Sequence, residues 1–227
     1  MISGIHNVLD SALLQRVRFD NIANNLANIS TNAFKKDVVS FNETLSMQYN
    51  SETDFSQGSV IYTGNKLDVA LGSKGFFKIQ VPGGIRYARN GSFSLDAEGF
   101  LVTQNGFKVL GRNGPIRIDG NCVSIGTDGQ ISVDNAPVDK MLVVDSNRSQ
   151  FFKKESSSYY SYQGGDEELF ATENVDIRQG YLEKSNVDPT TEMIKMIETF
   201  RAYESAQKAI QCMDEMTSKM INDVGLQ

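Results

Sequence analysis

The chain has 227 residues, 40% of them hydrophobic, with a formal net charge of −6 and a pI near 4.9. That apolar content supports a packed core and excludes a disordered tail. The acidic balance excludes a phosphate-binding surface, which needs clustered Lys and Arg to displace counterions, so nucleic acid is not an expected partner.

The opening stretch MISGIHNVLDSALLQRVRFDN lacks the basic start and unbroken apolar block of a secretory signal, because Asn7, Asp10, Ser11 and Gln15 interrupt it. Export without a cleavable signal peptide is expected if the chain leaves the cytoplasm. No apolar run approaches the roughly 20 residues that span a bilayer, so no membrane insertion is expected. Neither glycine nor proline occurs between Gly4 and Gly58, the kind of gap that a long helix requires. Ile5, Val8, Ala12, Gln15, Phe19, Ile22, Leu26 and Ile29 alternate steps of three and four, a coiled-coil seam interrupted at Gln15. The spacing predicts an N-terminal helix over residues 1–33.

Asn21, Asn24, Asn25, Asn28 and Asn32 recur at helical spacing beside that seam. Asparagine costs helix propensity, and its amide needs partners when buried. On a solvated face it has no advantage over Glu or Lys. Together with the small Ala23 and Ala27, the asparagines predict hydrogen-bonded contact with neighbouring helices, within or between subunits. A solvated polar face is the blander alternative.

Residues 34–65 read as an extended polar linker, and residues 66–178 as a β-rich domain. There the runs LDVAL, FFKIQV, IRYAR, SFSL, FLVT, FKVLG, PIRI, VSIG, QISV and KMLVV alternate with turn dipeptides, among them Pro82-Gly83, Asn90-Gly91, Asn105-Gly106, Asn113-Gly114, Asp119-Gly120 and Asp128-Gly129. Such punctuation predicts tight antiparallel hairpins in a meander or barrel. SSSYYSYQGG, Ser156 to Gly165, reads as a long loop, with Tyr159, Tyr160 and Tyr162 covering a core edge.

Residues 179–227 form a return segment and a second helix. Asp188 suits the N-cap, Pro189 the first helical position, and Glu192 adds a carboxylate to the first turn. Met193, Met196, Phe200, Tyr203, Gln207, Ile210, Met213, Thr217, Met220 and Val224 keep near-heptad spacing. Each seam needs a partner helix. The expected fold class is therefore α+β, with long N- and C-terminal helices pairing as a coiled coil around an inserted all-β, hairpin-rich domain.

Nothing in the chain argues for catalysis. His6 is the only histidine, so no Ser-His or Cys-His relay has a base partner. The glycines of LGSKGFF lie between strands and match no phosphate loop. DGNCVSIGTDGQISVD lacks the ligand spacing of an EF-hand, and Asp166, Glu167 and Glu168 read as a solvated run. Cys122 and Cys212 are too far apart in sequence to suggest a disulfide framework or a metal site, and are expected to be buried or half-buried thiols. No cofactor and no metal are expected.

Three stretches together resemble one family, the bacterial flagellar rod and hook proteins. NIANNLANISTNAFK is similar to that family's N-terminal signature, and QGYLEKSNVDPTTEMIKMIETFRAYESAQKAI to its C-terminal one. LDVALGSKGFFKIQVPGGIRYARNGSFSLDAEGFLVTQNGFKVLGRNGPIRI is similar to the body of rod subunits. Ala33 departs from the pattern, standing where the family usually has glycine.

The resemblance implies a non-enzymatic structural subunit of the basal-body rod. Its terminal helices would line an inner tube and its β domain would face outward. Its implied partners are further copies in a helical homo-oligomer, neighbouring rod proteins, and the flagellar type III export apparatus. Carried onto this chain, the assembly interface comprises Ile5, Phe19, Ile22, Asn24, Asn25, Leu26, Asn28, Ile29, Asn32 and Phe34 on the N-terminal side. On the C-terminal side it comprises Gly180, Leu182, Ser185, Asn186, Val187, Ile197, Phe200, Arg201, Tyr203, Glu204 and Ile210. The direct step from FKVLGRNGPIRI into VSIGTDGQISV and the short linker resemble proximal rod members most, with a distal rod or hook-type axial subunit as the alternative. A reading of another class is a secreted β-domain binding protein with coiled-coil oligomerisation arms, which leaves the asparagines unaccounted for.

Overall fold

Ile2–Ala27 forms the helix α1 and Pro189–Val224 the helix α2. The computed structural model describes residues 2–41, 49–120, 122–146, 148–156, 158–165, 168–172 and 175–224, with the side chains at 2–6, 41, 49–50, 149 and 220–224 outside that description. No helix among the described residues is long and apolar enough to cross a membrane. The chain divides into two compact units, residues 1–27, 37–52 and 188–227, and residues 28–36 and 53–187.

In the helical unit, α1 and α2 pack against each other. Strands β1 (Asp37–Phe41) and β2 (Tyr49–Thr53) form a two-stranded sheet within the segment read as a linker. The first helix closes at Ala27, short of residue 33. Thr31 donates its backbone N–H to Asn28 O at 3.1 Å and its hydroxyl to Asn28 Oδ1 at 3.2 Å, so side chains that bond local backbone and one another replace the helical ladder with turns.

Ala33 ends this run at φ 55°, in the left-handed region. The site takes the conformation that glycine adopts freely, and alanine tolerates it here while only 3% exposed. Replacing it tests the balance. Ala33→Gly should shift stability by no more than about 1 kcal/mol, because relief of left-handed strain is offset by the looser unfolded chain. Ala33→Val should cost more than ~2 kcal/mol, since a β-branched side chain is strained there and overfills the site. Urea midpoints of the two variants check this ordering.

Strand pairs in the β unit are antiparallel among the described residues. Phe76–Val81 lies inside a ten-stranded sheet, flanked by Gly84–Ala88, Lys108–Gly111 and Val143–Ser146. Val123–Ile125, Gln130–Val133 and Ala136–Lys140 make a three-stranded sheet, and two ribbons pair Val69–Leu71 with Ile177–Gln179 and Val60–Tyr62 with Tyr181–Glu183. Successive strand residues face opposite sides. Phe77 and Val143 therefore enter a core with Leu71, Leu101, Ile116 and Ile131, while Phe76 and Val144 enter a second, aromatic core with Tyr87, Phe152 and Tyr160.

Three expectations are corrected. Tyr159–Tyr162 is a strand rather than a loop, paired with Phe152–Lys154 and Gly84–Ala88, and Tyr160 is fully buried. Asn90-Gly91 joins strands that pair elsewhere; Gly91 is needed because a Cβ there would lie 1.8 Å from Val69 O. Cys122 and Cys212 are both exposed.

Candidate assembly interface

Asp188 caps α2. Its Oδ1 accepts from Thr190 N–H at 3.2 Å and its Oδ2 from the Thr191 hydroxyl at 2.5 Å, which holds the carboxyl below its ordinary pKa. Glu192, one turn on, is buried and accepts from Lys195 Nζ at 2.9 Å. Its other oxygen lies 3.4 Å from Asn25 Nδ2 near the far end of α1, so the helices run antiparallel.

Asn25 is the joint of this unit. Only 2% exposed, it donates Nδ2–H to Asp37 O at 2.9 Å and accepts the Asp37 N–H on Oδ1 at 3.0 Å. One amide thus pairs with the start of β1 as a peptide unit would, and reaches α2 as well. Aspartate lacks the donor and glutamine places its amide one methylene further out. Asn25→Leu would leave both Asp37 backbone groups without these partners, an expected loss of about 2–3 kcal/mol in the monomer. Asn24, whose side chain is exposed, should change monomer stability by no more than about 1 kcal/mol as Asn24→Leu. Thermal melting followed by helical circular dichroism separates the two.

The buried face of α1 follows the predicted seam through Val8, Ala12, Gln15, Phe19 and Ile22. That of α2 follows its predicted seam at Met196, Tyr203, Ile210, Met213 and Thr217 and departs from it at Met193, Phe200 and Gln207. Glu192, Met196, Thr199, Tyr203, Ala206, Ile210, Met213 and Thr217 turn inward, whereas Met193, Phe200 and Gln207 are exposed. The side chains of Met220 and Val224 lie outside the described residues. In this rotation Glu192 meets Asn25, and polar Glu192 and Thr199 lie buried on the seam.

A consequence is an unpartnered apolar stripe. Met193, Ile194, Ile197 and Phe200 are 52%, 53%, 54% and 51% exposed, and their spacing places them along one side of α2. On α1, Leu9 and Leu13 are 45% and 44% exposed one turn apart. Large contiguous apolar patches on soluble proteins are commonly interaction sites.

The carried-over interface residues therefore differ widely in exposure. Asn24, Ile197, Phe200, Arg201 and Glu204 are exposed. Phe19, Leu26, Tyr203 and Ile210 are half-buried, as are Asn28, Ile29 and Asn32 in the turns after α1. Ile22, Asn25, Phe34, Leu182 and Val187 are buried within the chain, and the side chain of Ile5 falls outside the described residues. Asn186 holds its own unit together. It accepts from Lys36 N–H at 2.8 Å and donates to Asp54 O at 2.8 Å and Ser56 O at 3.2 Å. Ser185 accepts from Val187 N–H at 3.3 Å, and Gly180 adopts φ 80° at the turn into the return strand.

Within the β unit lies a charged cluster outside the predicted set. Glu183, 2% exposed, accepts from Lys35 Nζ at 2.5 Å, from Arg89 Nε at 2.7 Å and from Gly58 N–H at 2.9 Å. Lys35 also donates to Ser56 O at 2.7 Å, and Arg89 to Gly75 O at 2.6 Å and Leu71 O at 3.2 Å. Burial pushes the Glu183 carboxyl up, but the charges of Arg89 and Lys35 outweigh it and hold its pKa below the ordinary value. Burial lowers the Lys35 ammonium against the pull of Glu183. Above Lys35, Lys154 donates to Lys35 O at 2.8 Å and sits 3.7 Å over the Phe34 ring.

Residues 178–223 match the family described as flagellar basal body rod FlgEFG protein C-terminal, and residues 70–133 that described as flagellar hook protein FlgE/F/G D1 domain. The flagellar basal-body rod protein FlgF of Caulobacter vibrioides is 32% identical over 243 residues, which covers 99% of each chain. FlgG of Buchnera aphidicola subsp. Schizaphis graminum is 32% identical over 246 residues, covering 91% of this chain and 94% of the relative. FlgG of Bacillus subtilis is 30% identical over 260 residues, covering 97% and 96%.

Proposed function

The chain belongs to the family of flagellar basal-body rod proteins, and from that premise we propose that it is a structural subunit of the rod whose terminal helices pair as a coiled coil and self-assemble into the torque-bearing shaft. The observation that carries the assembly reading is the exposed stripe Met193, Ile194, Ile197 and Phe200, which α1 leaves uncovered. In water such a stripe favours burial, and further copies of the same helix pair supply the surface. Contacts between unlike patches that do not close on themselves generate an open helical stack. The function is geometric: each copy passes torque to the next through repeated contacts, with no bond made or broken.

We read the chain as a proximal rod subunit, exported through the flagellar type III apparatus and housed in the basal body beside other rod proteins. The FlgF relative of Caulobacter vibrioides, matched over 99% of each chain, supports the rod-subunit reading. A deletion strain should lack flagella and motility while export of earlier substrates continues. Complete rods and normal swimming in that strain would overturn the reading. Closed, fixed-size oligomers of the purified chain with a bound ligand would instead favour a secreted binding protein.

A further inference from the structure

The ribbon of Val60–Tyr62 and Tyr181–Glu183 presents an aromatic pair to solvent. Tyr62 is 72% exposed and Tyr181 36%, with ring centroids 5.2 Å apart at 61°. Ile61, 37% exposed, adds an aliphatic neighbour on the same strand. The rings are held rather than loose. A Cβ on Gly180 would meet Tyr62 Cε2 at 3.3 Å, so the Tyr62 ring lies close against the bare backbone of Gly180. Thr63 and Gly64 both donate N–H to Gly180 O, which fixes the turn.

Tyrosine held in this way suits an interface anchor, because it offers large amphipathic area with little side-chain freedom left to lose. The strand Val60–Tyr62 pairs on one side only among the described residues, so its outer edge also offers backbone groups.

The charges around the ribbon decide the occupant. Lys66 and Lys184, both exposed, flank it: Lys184 N–H bonds Ser59 O at one end, and Lys66 O accepts from Gln179 at the other. The nearby acids are engaged. Asp68 accepts from Thr63 Oγ1 and Asn65 Nδ2, Asp176 from Arg178, and Glu183 turns inward to its two cations. A two-fold contact of this patch with itself would set lysines against lysines. A different face of another copy suits it better, because the chain carries a net charge of −6.

We propose that the Tyr62–Tyr181 ribbon is a second assembly surface, separate from the helices, that docks on an acidic face of a second copy of this chain. The proposal rests on the rod-subunit reading above and gives the subunit a heterologous contact in its β unit.

The test places a photo-crosslinking benzoylphenylalanine at position 62 of the full chain in motile cells, and at position 197 in a parallel strain. Irradiation at position 62 should give a product at about twice 25.1 kDa that contains only this chain. Products at 197 without any at 62, or a product at 62 that contains another protein, would overturn the ribbon proposal and leave the rod reading standing. Absence of products at both positions, together with normal flagella in the deletion strain, would overturn both. Tyr62→Ser with Tyr181→Ser should lower the incorporated subunit about tenfold or more with the monomer's melting curve retained. Incorporation at the parental level would count against the surface.

Discussion

Glu183→Ala is expected to be the most damaging single substitution to the monomer, lowering stability by about 3–5 kcal/mol, the usual result of stripping one partner from a buried ion pair. Two cations, Lys35 and Arg89, would remain enclosed without their carboxylate, and Gly58 would lose the acceptor of its N–H. Against a typical total of ~5–15 kcal/mol, that loss threatens the β unit as a whole. The triple replacement of Lys35, Arg89 and Glu183 by methionine should be less harmful than Glu183→Ala alone, since it leaves no uncompensated charge. Urea unfolding followed by far-ultraviolet circular dichroism measures both. A triple variant weaker than the single one would show that the backbone contacts of Lys35 and Arg89, rather than charge compensation, dominate the cluster.

The same cluster fixes the sign of the acid response. The Glu183 carboxyl has a folded pKa below its unfolded value of 4.5. Its contribution is complete above about pH 4.5 and is lost as pH falls through the lower, folded pKa. Lys35 acts at the other end of the scale. Its folded pKa is below 10.5, so the charged form costs stability, and that cost is relieved as pH rises towards 10.5. Stability measured from pH 7 to pH 2 should therefore hold steady and then fall below about pH 4.5, with a shallower fall in Glu183→Gln. An equally steep fall in that variant would assign the acid response to other carboxylates.

The two helices and the antiparallel β character were legible because local chemistry determines them. Asp188, Pro189 and Glu192 mark the start of α2 where it occurs. Pro82-Gly83 closes the hairpin between Val81 and Gly84. The turn at Asp134-Asn135 carries no such signal: both residues take positive φ, 50° and 70°, without a glycine to announce it, so the strand Ala136–Lys140 that follows is not legible either. The inward face of α2 is legible only in part: Met196, Tyr203, Ile210, Met213 and Thr217 keep the heptad, while Glu192, Thr199 and Ala206 stand in for Met193, Phe200 and Gln207. Apolar residues lie on two faces of α2, and the inward one carries Glu192, which meets Asn25 167 positions away. Lys35 and Glu183 are separated by 148 positions, and each looks in sequence like an ordinary surface charge. Spacing reveals periodic contacts within an element; it does not reveal which distant residues a fold encloses together.

The same distinction between faces of α2 yields the largest expected effect on assembly. Ile197→Glu with Phe200→Glu should abolish motility and reduce the subunit recovered in basal bodies at least ~30-fold, the effect of losing about 2 kcal/mol at an interface centre. The monomer should be nearly unaffected, within about 0.5 kcal/mol, because both side chains are more than half exposed and glutamate is a good helix former. Met196→Glu, on the inward face of the same helix, should do the reverse at the first step by loosening the pairing of α1 with α2 and lowering the melting temperature before assembly begins. Lys208→Glu, on an exposed polar position, should leave both properties near the parental values. Thermal melting of each purified variant, set beside immunoblots of isolated basal bodies, resolves the three cases. Parental motility in the Ile197→Glu, Phe200→Glu double variant would remove the stripe from the assembly surface. A drop in its monomer stability equal to that of Met196→Glu would mean that the stripe packs within the chain instead of against another copy.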